Sequence, residues 1–239
     1  MSLKKNFFEV VLVNTQLPEN MGAVARSMLN FNYEKLRVVN PRFSLENEKI
    51  IPLAAGADKI IKNIKKYDHF EDAVRDFNIL IATTNRLRSI KKKEITFSNL
   101  AKLIKTKKKV GVVFGPENNG LDNDHLAVCD YFIRIKTNPS FSSLNLSHAV
   151  IIVCQKIYEK LCIDFKSERA KQFKNDFAKK SELFGFYQIL EEKLDESNFF
   201  LVKERKKITL QKIKNIFGKI NLSSKEIKTL VAMLRNLTQ

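Results

Sequence analysis

The 239-residue chain has little of what several function classes require. Its three cysteines, Cys129, Cys154 and Cys162, form no Cys-x-x-Cys pair, and its three histidines, His69, His125 and His148, are scattered. Structural zinc needs clustered ligands and a cystine scaffold needs paired thiols, so neither is expected, and the cysteines read as buried apolar groups. No apolar run approaches the roughly 18 residues of a membrane span. There is no Gly-x-Gly-x-x-Gly, and where a P-loop needs Lys-Ser/Thr the loop 115–121 continues into Leu121-Asp122. Ordinary dinucleotide binding and P-loop ATPase chemistry therefore lose their best signals. Met1 to Asn6 leads directly into strand-like residues with no small-residue cleavage site, so a cytoplasmic location is expected.

Acidic residues are also scarce: 26 Asp+Glu face 43 Lys+Arg, a formal net charge of +17. With 44% hydrophobic and 29% charged residues the composition is globular, which excludes a disordered polycation. The length allows one large domain with a small appendage. The charge is uneven. Residues 59–109 hold 15 basic and 5 acidic side chains, and residues 164–239 hold 17 and 10. Everything else sums to zero, with 11 of each sign. A general preference for Lys, which outnumbers Arg 33 to 10, should not spare half the chain. Two basic blocks imply a surface facing a polyanion, RNA or DNA. No basic amphipathic helix with aromatic anchors argues for a membrane instead.

Strand-sized apolar runs recur at 10–13, 36–39, 79–82, 110–114 and 132–135, with helical patterns between them. Met21, Val24, Ala25, Met28 and Leu29 make one helical stripe, with Asn20 as a candidate cap. Strands alternating with helices predict a parallel α/β sheet covered on both faces. The run 143–161 is apolar on nearly every side, which requires burial on several faces. Beyond it the sequence turns charged and helical. We expect a domain over 1–163, a charged helical linker over 164–181 and a small all-helical extension over 182–239, with one helix stopping at Gly218 and another opened by the capping box Ser223-x-x-Glu226.

Three segments carry the chemistry. Asn14-Thr15-Gln16-Leu17-Pro18-Glu19-Asn20-Met21-Gly22-Ala23-Val24-Ala25-Arg26-Ser27-Met28 resembles the first motif of the SpoU (SPOUT-class) RNA ribose 2′-O-methyltransferases. Val113-Phe114-Gly115-Pro116-Glu117 to Gly120-Leu121 resembles their second motif, and Ser143-Leu144-Asn145-Leu146-Ser147-His148-Ala149-Val150 their third. Order and spacing agree over 6–161. Ala82-Thr83-Thr84-Asn85-Arg86-Leu87-Arg88 and the helical extension resemble the TrmJ-like branch, which methylates the ribose of pyrimidine 32 in the tRNA anticodon loop. Asn32, Asn85 and Lys136 depart from the usual residues, and Lys136 adds charge beside the expected cofactor loop.

The resemblance implies a sheet whose C-terminal part is tied in a deep trefoil knot, a homodimer, and no metal. It implies S-adenosylmethionine held by Thr83, Thr84, Asn85, Gly115, Glu117, Gly120, Leu121, Ile135, Ser143, Leu144 and Asn145. It assigns catalysis to Arg26, with Asn20, Glu117, Ser143 and Asn145 orienting it or the ribose. Gly22 and Arg26, four residues apart, read as a helix flank approached closely over the glycine. RNA contacts are expected from Arg26, Arg86, Arg88, Lys91, Lys92 and Lys93. The same reaction on ribosomal RNA and a catalytically silent RNA-binding homologue are the alternatives. The latter should have lost Arg26, Glu117 or Asn145, all of which are present.

Overall fold

The computed structural model describes residues 8–85, 92–106, 108–163, 177–200 and 202–236. Seven strands form one sheet: β1 (Phe8–Val13), β2 (Leu36–Val39), β3 (Lys65–Tyr67), β4 (Ile79–Thr83), β5 (Lys93–Glu94), β6 (Val110–Phe114) and β7 (Tyr131–Ile133). Their order is β3-β2-β1-β6-β4-β7-β5, and every pairing is parallel. The five strands with apolar signatures lie inside. The two that sequence patterning misses, β3 and β5, are short, lysine-bearing and at the edges. Charge on an edge strand discourages further pairing, which is also why no apolar run betrays it.

Alternation along each central strand sorts the core. Val10 and Leu12 of β1 join Ile79 and Ile81 of β4 on one face, under α1 (Pro18–Leu29), α2 (Ile50–Ala54), α3 (Asp58–Lys62), α5 (Phe97–Lys105) and α7 (Leu146–Ile163). Val11, Val13, Leu80 and Ala82 face the other way, against α4 (Phe70–Val74) and α6 (Asn123–Val128). Helix α7 buries Val150, Val153, Cys154 and Ile157 completely. Burial pushes the Cys129 thiol up to about 12 and the Cys154 thiol higher still, so both are inert packing groups. Among the described residues no helix is long and apolar enough to cross a membrane, and no group of metal-ligating side chains assembles.

The C-terminal helices α8 (Lys180–Glu196), α9 (Lys206–Lys219) and α10 (Ser224–Asn236) share a small core around Leu183, Phe186, Tyr187 and Ile227. They dock on the second face of the sheet. Lys180 is buried and donates to the buried Asp130 carboxylate, which also accepts from the backbone N–H of Leu80 at 2.7 Å. The backbone N–H groups of Lys180 and Ser181 donate to the carbonyls of Phe77 and Arg75 at 3.0 and 2.8 Å. Of the expected helical linker over 164–181, residues 177–181 are described: 180–181 are the first residues of α8, while 177–179 are extended, with Phe177 bridging Ser223 and the Ala178 N–H donating to the Leu222 carbonyl. The Ser223–Glu226 capping box forms as expected. Gly218 does not stop α9. A Cβ there would fall 2.5 Å from Lys92 Nζ and 2.8 Å from the Ala127 carbonyl oxygen, so the glycine lets α9 pass close to the body.

Candidate active site

Strands β1, β4, β6 and β7 all end at the same edge of the sheet, and the loops that follow them converge there. In an open α/β sheet this is where ligands bind. The loop after β6 is built on two glycines. A Cβ on Gly115 would lie 2.2 Å from the Leu121 backbone nitrogen, so the loop can double back only around glycine. Gly120 has φ +65 and donates its N–H to the Pro116 carbonyl at 2.9 Å. Asp122 then closes the loop by accepting the His125 N–H at 2.9 Å, capping α6. That role accounts for an aspartate where a P-loop would need a hydroxyl or lysine.

The cleft has a volume of about 230 Å³. Of the residues expected to hold a cofactor, Thr83, Thr84, Asn85, Gly115, Glu117, Gly120, Ile135, Ser143 and Leu144 line it. Leu121 does not: its side chain is buried in the second core, so only its backbone serves the loop. Asn145 does not line it either. Pro116 and Ser142, from the loops 115–121 and 135–145 expected to hold the cofactor, line it too, and Phe114, Ile133, Leu146 and Ala149 line it without having been foreseen. Alternation could have found Phe114 and Ile133, which end β6 and β7 on the face of Ile135.

Beside the cleft, side chains from all three motifs form one hydrogen-bonded relay. The Gln16 backbone N–H donates to Glu117 Oε2 at 3.0 Å, and Asn20 Nδ2 donates to Glu117 Oε1 at 2.6 Å. Asn145 Nδ2 donates to Asn20 Oδ1 at 2.9 Å, while Asn145 Oδ1 accepts from the Ser147 N–H and hydroxyl at 2.8 and 2.7 Å. One expectation is corrected here. Asn20 is not the cap of α1, which begins at Pro18 after Leu17 with no side-chain cap. Asn20 is a buried group inside the first turn, and the Glu117 carboxylate sits at that helix start, where the dipole and free N–H groups favour an anion. Asn145, just before α7, caps that helix by accepting the Ser147 N–H, which leaves the Ser143 side chain to the cleft.

Arg26 is exposed, two turns beyond Asn20. It does not line the cleft of its own chain. Gly22 does not open a path to it: a Cβ there would lie 2.0 Å from the Ile50 carbonyl oxygen, so the glycine serves the packing of α1 on α2. Among the expected RNA contacts, Arg86, Arg88 and Lys91 lie outside the described residues. Lys93 is exposed on β5. Lys92 is not presented to solvent as expected. It donates to the Ala127 carbonyl at 2.9 Å under Gly218. Burial pushes its ammonium down to about 8, with Cys129 and Asp130 pulling the other way and Lys180 and Lys219 adding to the fall.

A doubly covered parallel sheet with a glycine-loop cleft at its strand ends and a polar relay beside it defines an α/β protein with a cleft where open α/β sheets bind ligands. The chain belongs to the SpoU rRNA methylase family, whose model matches residues 8–155. It is 30% identical to the tRNA (cytidine/uridine-2′-O-)-methyltransferase TrmJ of Citrobacter koseri, over 96% of this chain and 96% of that protein. It is 37% identical to the tRNA (cytidine-2′-O-)-methyltransferase TrmJ of Methanocaldococcus jannaschii, over 63% of this chain and 67% of that one. Among solved structures, that of TrmJ from Z. mobilis ZM4 superposes with a TM-score of 0.86 at 33% identity, covering 97% of this chain and 99% of that one.

Proposed function

We propose that this protein is an S-adenosylmethionine-dependent tRNA ribose 2′-O-methyltransferase acting on pyrimidine 32 of the anticodon loop in the cytoplasm. The observation that carries the reading is the relay: Asn20, Glu117 and Asn145, one from each motif, join at the edge of a single cleft. The TrmJ relatives, similar along the whole chain including the helical extension, support tRNA over ribosomal RNA.

The cleft residues fit the cofactor. A Cβ on Gly120 would meet nothing within 4 Å, so the glycine loop borders open space that a ligand can fill. Phe114, Ile133, Ile135 and Leu144 offer an apolar wall suited to a flat purine, and the Glu117 carboxylate complements positive charge. When bound, S-adenosylmethionine supplies a methyl group on a sulfonium, which needs no metal. Thr83, Thr84, Asn85, Gly115, Glu117, Gly120, Ile135, Ser143 and Leu144 would hold it, Leu121 and Asn145 assisting through backbone and relay. Holding two reactants in line is the main contribution open to such a site, worth roughly 7–11 kcal/mol in the best case.

Ser143 and the relay amides orient the ribose. Arg26 grips the neighbouring phosphate and stabilises the developing alkoxide. A guanidinium with a pKa above about 12 is a poor general base. Because Arg26 stands away from its own cleft, a second copy of the chain completes the site. The α1–α2 pair that carries it also exposes Leu17, Leu29, Ile51 and Leu53, an apolar surface for that copy to cover. The knot expected of the family is supported by the strand order. Strand β6 enters between β1 and β4, and β7 between β4 and β5, so the chain twice returns into gaps between strands already laid down.

Mapping 2′-O-methylation in tRNA and ribosomal RNA from cells with and without the protein tests the reading, with loss of the mark at tRNA position 32 expected. Loss of a ribosomal mark with every tRNA mark intact overturns the substrate, and an Arg26→Lys enzyme with undiminished turnover overturns the role given to the guanidinium.

A further inference from the structure

We infer that Phe141 is the platform on which the unpaired base of the target nucleotide stacks; the inference rests on the RNA methyltransferase reading and names how that site grips its substrate. Phe141 is 78% exposed, whereas the other large apolar side chains exposed among the described residues reach at most 54%. Single exposed apolar groups are ordinary on a protein surface. This one differs in how it is held and where.

The ring stands on a built turn. The Phe141 N–H donates to the Asn138 carbonyl at 3.0 Å, the Ser140 N–H donates to Asn138 Oδ1 at 3.0 Å, and Asn138 and Phe141 form an antiparallel bridge. That turn is fastened to the cleft wall from both sides: Asn85 Nδ2 donates to Thr137 Oγ1 at 2.9 Å and to the Ser142 carbonyl at 3.2 Å. Asn85, Ser142 and Ser143 all line the cleft. The ring therefore sits one residue outside the cleft lining, on a segment whose position is set by the cleft itself. The base of a nucleotide brought to the mouth of that cleft has its face within reach of this rim.

Chemistry selects the occupant. Bases in single-stranded loops are recognised by stacking on aromatic side chains, and a phenylalanine, having no hydrogen-bonding group, accepts either pyrimidine. The cleft already has its own apolar wall for a purine, so the cofactor does not need this ring. Lys136, exposed on the same segment, supplies charge for a phosphate beside the stacked base.

The test uses the full chain and a tRNA anticodon stem-loop carrying the fluorescent cytidine analogue pyrrolocytidine at the target position. In the wild type, binding should quench the probe. Phe141→Ala should leave it bright and raise KM for the RNA roughly tenfold, with cofactor affinity and sedimentation mass unchanged, and Phe141→Trp should restore both quenching and KM. Wild-type quenching and KM in Phe141→Ala overturn the inference. So does a changed mass, which would make the ring a contact between copies, or a weakened cofactor, which would make it part of that wall. A wild-type protein that methylates no RNA at all overturns the parent reading along with it.

Discussion

Two polar clusters sit at opposite ends of the same sheet, and they are built on opposite principles. At the amino ends of β1 and β2, Arg37 is 2% exposed and donates from Nε to Glu9 at 2.7 Å and from Nη1 to Asp76 at 2.7 Å and the Ala73 carbonyl at 2.6 Å. Lys109 bridges Glu9 and Asp76, and the guanidinium lies 4.4 Å from the Phe77 ring centroid. Lys35 adds a longer contact to Glu9 at 3.6 Å, so three cations meet two carboxylates and the network closes on itself. At the carboxyl ends, the relay from Gln16 through Glu117, Asn20 and Asn145 to Ser147 contains one carboxylate and no cation, and it borders an open cleft. A closed set of charges can only hold structure. An open set of amides and one carboxylate has hydrogen-bonding capacity left for something that arrives.

The sharpest way to break this contrast is at Arg37. Arg37→Ala takes from the buried Glu9 its shortest ionic partner and leaves it only the longer contacts to Lys109 and Lys35, and removing one partner of a buried ion pair costs up to about 3–5 kcal/mol. Denaturant unfolding should show that loss, while methyl transfer per folded molecule stays at the wild-type level. The converse substitution is Glu117→Gln. An amide keeps one acceptor oxygen where the carboxylate has two, so its NH2 group turns toward either the Gln16 N–H or the Asn20 amide, breaking one of the two bonds and shifting the relay. Misplacement on the scale of an ångström costs on the order of 100-fold in rate. Turnover should fall by about that factor with Tm changed little. A Glu117→Gln enzyme that unfolds readily but retains its rate would falsify the division of labour.

The same contrast explains what the sequence made legible. Apolar patterning exposes β1, β2, β4 and β6 because each is buried on both faces, and β7 because its residues, though partly exposed, are apolar. It cannot expose β3 and β5, whose lysines mark edges. The residues of the cleft could be read because three motifs resemble those of a known family, and the convergence of loops after strand ends agrees with where the resemblance puts them. Details that depend on which helix face meets which neighbour could not. Asn20 resembles a cap until α1 is seen to start two residues earlier. Gly22 resembles an opening until Ile50 fills it. Lys92 resembles its neighbour Lys93 until Gly218 of α9, more than a hundred residues away, is found lying over it. The closed ion cluster was invisible for the same reason, since Glu9, Arg37, Asp76 and Lys109 are remote in sequence.

A smaller effect is expected from acid. Burial alone would raise the Asp76 carboxyl, yet hydrogen bonds from Arg37 and Lys109, with their charges, hold it well below its ordinary 3.8. A carboxyl depressed on folding contributes stability that is fully present above its unfolded value and lost as pH falls through the folded one. Unfolding free energy should therefore drop below about pH 4 in the wild type, and Asp76→Asn should flatten that part of the profile while lowering stability at neutral pH.

The smallest predicted effect lies where the two regions of the chain touch. Lys92, at about 8 in the folded protein against an ordinary 10.5, binds fewer protons when folded than when unfolded across that interval. Stability contributed through this group must therefore rise as pH climbs from 8 toward 10.5, and below pH 8 its charge is held at a cost. The buried thiols work the other way, because Cys129 is raised from 9.0 to about 12 and opposes the trend above pH 9. Comparing wild type with Lys92→Met at each pH removes the common background. The methionine variant should be the more stable at pH 7.5, if the lost bond to the Ala127 carbonyl costs less than the buried charge, and its advantage should shrink by pH 9.5. An advantage that does not vary with pH would mean that Lys92 is solvated and belongs with the exposed Lys93, which would return it to the residues expected to contact RNA.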